Sequence, residues 1–134
     1  MLRTKSIFAP ISLEDGLRVS VMSRHTLNDG ITPDKRIVPG KTYDVWRKDL
    51  APTPKLVGDH YHGKVSWNEF TERYTNYLRR PEVTGLVSDL ANESMFGREN
   101  VTLLCVEENA FECHRSILVK ECLRYVSDLQ IRHV

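Results

Sequence analysis

The chain has 134 residues, 40% of them hydrophobic, a size and composition typical of one domain with a single core. Its formal net charge of +1 excludes a strong overall field for nucleic acid or an acidic membrane surface. No stretch approaches the ~20 apolar residues of a membrane span, and the start lacks the apolar run of a signal peptide. Three cysteines leave one unpaired in any intramolecular scheme, which favours the reducing cytoplasm. We therefore expect one cytoplasmic domain over residues 1–134, with no membrane partner.

The first forty residues predict two strands and a long loop. Residues 6–9 are short and apolar and are followed by Pro10, which indicates a first strand. Residues 17–22 alternate apolar and polar side chains, with Leu17, Val19 and Val21 on one side, and predict a second strand. Residues 23–40 contain turn residues and few large apolar ones, so they predict a loop of a length that is often functional.

The middle of the chain predicts helices. Tyr43, Trp46 and Leu50 have the spacing of a short helix over residues 43–50. Thr53 and Pro54 form the start signal of a second helix, as N-cap and first helical residue. A third helix follows the capping box at residues 66–69 and carries an aromatic stripe, and a fourth runs from residue 81 to a C-cap at residue 97.

The last third predicts a strand, a helix and a strand. Residues 101–106 are almost wholly apolar, as expected for a strand that is covered on both faces. A helix begins at Cys113, and residues 128–134 return to an alternating pattern. This order predicts an α/β domain with a mainly parallel sheet of about four strands and helices on both faces.

Polar and reactive side chains follow the predicted strands. Ligands of open parallel sheets bind beyond the carboxyl ends of the strands, where the connections 10–16, 23–40 and 107–112 are expected to meet. These connections, together with the start of the last helix, carry the candidate site residues Arg24, His25, Asn28, Cys113, His114 and Arg115. A helix amino terminus also attracts anions. The sequence thus predicts an anion site at the Cys-His-Arg turn.

Helical geometry separates the members of this turn. At about 100° per residue, Arg115 points toward the core side of the helix, over the end of the sheet, which favours it as an anion ligand. An ion pair with a loop carboxylate is the alternative for Arg115. Cys113 points the opposite way unless it is the N-cap, so a reactive thiol and a small buried hydrophobic residue both stay open for it. Cys105 and Cys122 are interpreted as core residues.

The sequence predicts no metal site. His60 and His62 could face one way in an extended segment, but two ligands without a third are typical of surface histidines. No pattern in the chain identifies a cofactor.

Several segments resemble the bacterial and archaeal family called domain of unknown function 488. They are residues 17–24 (LRVSVMSR), 50–56 (LAPTPKL), 66–74 (SWNEFTERY), 101–105 (VTLLC) and 113–115 (CHR). The resemblance spans nearly the whole chain, and it implies a compact α/β domain with a Cys-His-Arg turn but no particular activity. Many members follow the second strand with Trp-Pro-Arg-Gly, where this chain has residues 24–30 (RHTLNDG).

Two functions of different classes follow from these observations. The first is a site for a small anionic ligand, phosphate-bearing in the main hypothesis, which could support chemistry with Cys113 as nucleophile and His25 or His114 as proton carrier. The second is a non-catalytic module that binds nucleic acid or protein through basic residues of the first half: Arg18, Arg24, Lys35, Arg36 and Lys41. A third interpretation makes the Cys-His-Arg turn purely structural. The sequence does not decide whether the protein is an enzyme.

Overall fold

The computed structural model describes residues 1–107 and 113–134 of an α/β domain. Its strands are β1 Leu2–Ser6, β2 Leu17–Ser20, β3 Val45–Trp46, β4 Val101–Cys105 and β5 Ile131–His133. Its α-helices are α1 Pro54–Tyr61, α2 Trp67–Leu78, α3 Pro81–Phe96 and α4 His114–Tyr125. All strand pairs are parallel, in the order β3-β2-β4-β1-β5. The predicted parallel α/β fold is confirmed, with five strands rather than about four.

The two faces of the sheet are covered differently. Apolar side chains of β1, β2 and β4 form one continuous core with buried residues of all four α-helices. The opposite face meets the 3-10 helix Leu13–Asp15 and parts of the loop that follows β2, including Ile37 and Tyr43. Within the described residues, helical cover of this second face is thus confined to a single 3-10 turn.

The first strand lies at Leu2–Ser6, so the prediction of a strand at residues 6–9 was wrong in position. All five residues of β1 are buried, including Arg3 and Lys5. The carboxylate of Asp15 lies 3.0 Å from Lys5 Nζ and 3.6 Å from Arg3 Nη2, which makes the burial of these cations tolerable. Sequence patterns place Arg and Lys on the surface, and β1 was missed for this reason.

The predicted helix over residues 43–50 was also wrong. This segment contains β3 and the 3-10 helix Lys48–Leu50 instead. The three apolar residues that suggested a helix go to different places: Tyr43 joins a small cluster on the second face, Trp46 stacks on His25, and Leu50 enters the main core. Their helical spacing reflects three separate contacts rather than one buried stripe.

The remaining helix predictions are confirmed. Thr53 caps α1 with Pro54 at its first position, and the Ser66 side chain accepts a hydrogen bond from the Glu69 backbone N–H at the start of α2. Helix α3 ends at Phe96, with Gly97 as its C-cap. None of the described helices combines the length and apolar content that a bilayer span requires.

Candidate thiol and histidine site

A cavity of about 380 Å³ lies beyond the carboxyl ends of β2 and β4. Its walls come from residues 22–24 after β2, the loop 26–30 and one side of α1, and it also borders the end of β4 and the start of α4. Cys105 and Glu107 line it from β4, and His114 lines it from α4. The cavity therefore occupies the sheet edge where ligands of parallel sheets bind. Residues 108–112 of the predicted connection between β4 and α4 lie outside the described residues.

Cys113 is the N-cap residue of α4. Its backbone is extended, with φ −127° and ψ 150°, and its side chain makes no capping hydrogen bond to the helix. The side chain is instead buried at 2% exposure in a small cluster with Ile7, Met22 and Cys105. The thiol therefore faces the protein interior at the positive end of the helix dipole.

The ring of His114 is fixed between a carbonyl and two sulfur atoms. Its Nε2 lies 2.7 Å from the carbonyl oxygen of Val21, which can only accept, so Nε2 carries a proton. Its Nδ1 lies 3.8 Å from the sulfur of Cys105 and 3.8 Å from that of Cys113. The Tyr74 ring packs edge-on against the imidazole, with 5.7 Å between centroids. One contact thus sets the tautomer and directs Nδ1 toward both thiols.

Cys105 joins the two residues of the turn. Its sulfur is the donor to Glu107 Oε2 at 3.1 Å, and the reactive atoms of Cys105, Cys113 and His114 all lie within 4.8 Å of one another. We call these three residues the Cys-Cys-His cluster. The sequence interpretation of Cys105 as a core residue missed this role. The signal was its position, because it lies one residue before the end of a predicted strand, at the sheet edge that binds ligands.

The surroundings shift the pKa values of the two thiols of the Cys-Cys-His cluster in opposite directions. Burial alone would raise the pKa of the Cys113 thiol, but the hydrogen bond with Cys105 and the charges of His114 and Arg115 outweigh it and hold the pKa well below its usual value. Burial would lower the pKa of His114, yet the neighbouring Cys113 charge raises it. The Cys105 pKa is raised by its hydrogen bond with Cys113 and by burial. Cys113 is therefore the sulfur on which the surroundings most favour negative charge.

Arg115 does not line the cavity. Its side chain is fully buried at 0% exposure, and one Nη2–H donates to the carbonyl oxygen of Glu107. Within residues 1–107 and 113–134, its Nε and Nη1 have no hydrogen-bond partner. The structure thus separates Arg115 from the cavity residues and leaves it as a nearby positive charge that favours the Cys113 thiolate.

Arg24 and Asn28 do line the cavity. The Arg24 guanidinium donates to the carbonyl oxygens of Gly30, at 3.1 Å, and Pro54, at 3.2 Å, and among the described residues it forms no ion pair. Gly30 has a φ of +71°, and a Cβ there would lie 2.9 Å from Arg24 Nη1. The backbone conformation therefore favours glycine, and a larger residue would also displace the guanidinium of Arg24.

His25 lies apart from the cavity residues. Its ring stacks on Trp46 with 3.7 Å between centroids, and its Nε2 lies 2.7 Å from the hydroxyl of Ser20. Burial, with a smaller contribution from the charge of Lys48, lowers the pKa of His25 to about 4. The structure brings Arg24, Asn28, His114 and Cys113 to one region, and it places His25 in an aromatic stack outside the cavity lining.

The proposed basic surface is smaller than the sequence suggests. Arg18 is buried at 4% exposure and pairs with Asp15, and Arg36 pairs with Asp34 while lying over the ring of Phe8. Nucleic-acid binding through the first half of the chain stays a prediction, with fewer free cations to carry it.

Comparison with known protein families identifies a match over most of the chain. The family model DUF488-N3a, described as the active DUF488-N3 subclade, matches residues 2–126. No curated protein and no solved structure is similar enough to be matched.

Proposed function

The chain belongs to the DUF488-N3a family, and we propose that it binds a small anionic molecule in the cavity and acts on it through Cys113 and His114. The observation that carries this proposal is the Cys-Cys-His cluster at the edge of a cavity whose wall holds Arg24. The description of the matching subclade as active is consistent with a catalytic role.

Arg24 is the ligand-binding cation of this proposal. Two backbone carbonyls hold its guanidinium in place without neutralising its charge, so it is ready to pair with a phosphate or carboxylate group. The Asp29 carboxylate lies on the same wall, and it accepts hydrogen bonds from the backbone N–H groups of Ile31 and Thr32 within its own loop. Asn28 adds a neutral donor to the ligand.

Cys113 is the nucleophile, and His114 is the proton carrier. The positive end of α4 and the imidazole favour the thiolate, which is the nucleophilic form of cysteine. Cys105 and His114 line the cavity, and the Cys113 sulfur lies 3.8 Å from Nδ1 of His114, so the proposal has the ligand approach Cys113 from this side. All three cysteines are free thiols in the structure, a state that suits the reducing cytoplasm that we expect for the protein.

Iodoacetate and iodoacetamide test both parts of the proposal in one experiment. The two reagents alkylate a thiolate in the same way, with loss of iodide, but only iodoacetate is an anion. We expect iodoacetate to modify Cys113 first, as located by peptide mass spectrometry, and inorganic phosphate to slow the reaction. In Arg24→Ala the rate with iodoacetate should fall about tenfold relative to iodoacetamide, the equivalent of roughly 1.4 kcal/mol.

Arg98→Ala is the matched control, because Arg98 is exposed and precedes β4 at the opposite end of the sheet. An unchanged ratio of the two rates in Arg24→Ala would remove the anion site. Modification spread evenly over Cys105, Cys113 and Cys122 would remove Cys113 as the nucleophile.

A further inference from the structure

We propose that the Cys-Cys-His cluster is also a metal site, which binds Zn²⁺ through Cys105 Sγ, Cys113 Sγ and His114 Nδ1. This inference departs from the sequence prediction of no metal site, which considered only His60 and His62. It does not depend on the proposed function, because it rests on the positions of the three ligand atoms.

The distances match a tetrahedral zinc site. With Zn–S near 2.3 Å and Zn–N near 2.0–2.1 Å, neighbouring ligand atoms of a tetrahedron lie roughly 3.5–3.8 Å apart. Nδ1 of His114 lies 3.8 Å from each sulfur, and all three atoms lie within 4.8 Å of one another. Small rotations of the side chains are therefore enough to close a three-ligand site.

The orientation of His114 is the one that a metal ligand needs. Its Nε2–H is held by the carbonyl of Val21, which leaves the lone pair of Nδ1 directed at the two sulfur atoms. A hydrogen bond of this kind on the second ring nitrogen is the usual support of a metal-bound histidine. The imidazole is thus already oriented by the fold rather than by the metal.

Charge and access fit the same ion. Two thiolates, one neutral imidazole and Zn²⁺ sum to zero, which suits a buried site. Thiolate and imidazole ligands favour zinc over calcium or magnesium. Cys105 and His114 line the cavity, so the ion has a path of entry, and the fourth coordination position is filled from that side by water or an anion.

Zinc binding and thiol chemistry describe two states of the site. When the metal is bound, Cys113 is a ligand and cannot act as a nucleophile. We therefore expect Cys113 to be alkylated in the metal-free protein and to be protected from alkylation once Zn²⁺ is added. Alkylation of the metal-free chain tests the proposed function, while metal binding is measured separately, so failure of one is distinguishable from failure of the other.

Cobalt substitution tests the site directly. The full-length chain, reduced and stripped with a chelator, is titrated with Co²⁺ and then with Zn²⁺. We expect one Co²⁺ per chain, with a thiolate-to-cobalt charge-transfer band and the intense visible bands of tetrahedral cobalt, both removed by Zn²⁺. Cys105→Ser, Cys113→Ser and His114→Ala should each weaken binding at least tenfold. Cys122→Ser is the matched control, because Cys122 is a buried thiol of the same helix outside the cluster.

A second measurement needs no variant and so does not depend on their folding. In the wild-type chain, Zn²⁺ should protect Cys105 and Cys113 from alkylation during partial unfolding and leave Cys122 unprotected. Absence of the thiolate-to-cobalt band in the wild-type chain would overturn the proposal. Equal protection of all three cysteines would also overturn it, because it would show general stabilisation instead of ligation.

Discussion

Two clusters of buried polar groups lie on this sheet, and they are built in opposite ways. On the second face, the Asp15 carboxylate accepts from Lys5 Nζ at 3.0 and 3.1 Å, from Arg18 Nη1 at 2.6 Å and from the Ser12 backbone N–H at 3.0 Å. We call Asp15 with Arg3, Lys5 and Arg18 the Asp15 cluster. Beyond the strand ends, the Cys-Cys-His cluster borders the cavity and keeps Nδ1 of His114 directed at two sulfurs.

The two clusters differ in whether their polar atoms already have close hydrogen-bond partners. In the Asp15 cluster both carboxylate oxygens are bonded, and the residue is fully buried, so no part of it is left for a ligand. In the Cys-Cys-His cluster the contacts between the sulfurs and the imidazole are long and weak, and two of the three residues reach the cavity. The first arrangement favours stability and the second leaves groups available for chemistry.

Substitution of Asp15 gives the largest expected effect. Among the described residues, Asp15 is the only carboxylate that pairs with the side chains of Lys5 and Arg18. Asp15→Asn therefore leaves these two buried cations without their anion, and it leaves Arg3 with the exposed Glu14 alone. We expect the free energy of unfolding, measured by urea denaturation, to fall by about 3–5 kcal/mol. Glu14→Gln is the control, because Glu14 is 72% exposed and lies 3.5 Å from Arg3; its cost should stay below about 1 kcal/mol. Equal losses of unfolding free energy in the two variants would show that the Asp15 cluster does not stabilise the fold more than an exposed ion pair does.

Substitution of Tyr74 tests whether its hydroxyl contributes to stability alone or also to the geometry of the Cys-Cys-His cluster. Its hydroxyl donates to the carbonyl oxygen of Leu50, and both groups are fully buried. Tyr74→Phe leaves this carbonyl without its partner, so we expect a loss of about 1–3 kcal/mol in the free energy of unfolding. The edge-on aromatic contact with His114 is kept, and cobalt binding should therefore be unchanged. A loss of cobalt binding would mean that the Tyr74 hydroxyl also fixes the cluster.

Cys113→Ser should cost less than either of these variants. The substitution keeps a small side chain that can hydrogen-bond to Nδ1 of His114, and it leaves the Asp15 cluster intact. We expect a cost of about 1 kcal/mol in the free energy of unfolding, with loss of rapid alkylation by iodoacetate. A cost as large as that of Asp15→Asn would favour the structural interpretation of the Cys-His-Arg turn.

The sequence predicted the parts that follow local rules. The caps at Thr53 and Ser66 and the apolar strand at 101–105 were found because each signal lies within a few neighbouring residues. The strand Leu2–Ser6 was missed because the burial of Arg3 and Lys5 depends on Asp15, ten residues beyond Lys5.

The candidate site likewise has parts that the sequence predicted and parts that it missed. The turn at Cys113 and the sheet edge were predicted from order along the chain, as were the cavity positions of Arg24 and Asn28. Cys105 was missed. Arg115 is buried, as its position on the helical wheel predicts, but it lies outside the cavity lining and donates to the carbonyl oxygen of Glu107. Tertiary contacts decide which side chains line the cavity, and no local sequence pattern predicts these contacts.

Acid separates two groups on the second face. His25 is neutral in the folded protein with a pKa lowered to about 4 from 6.5, so protonation of the unfolded chain removes stability as the pH falls from about 6.5 to about 4. Desolvation opposes the ionised form of Asp15, but the hydrogen bonds from Ser12, Lys5 and Arg18 outweigh it and lower the pKa below 3.8, so its contribution is lost only in stronger acid.

His25→Asn should therefore flatten the stability profile between pH 6.5 and 4 and leave the loss at lower pH, as measured by urea denaturation across this range. His62→Asn is the control, because His62 is exposed and lines the cavity instead of the aromatic stack. If the wild-type chain loses no stability above pH 4, the stack on Trp46 does not hold His25 neutral. The second face would then owe its acid sensitivity to the Asp15 cluster rather than to both groups.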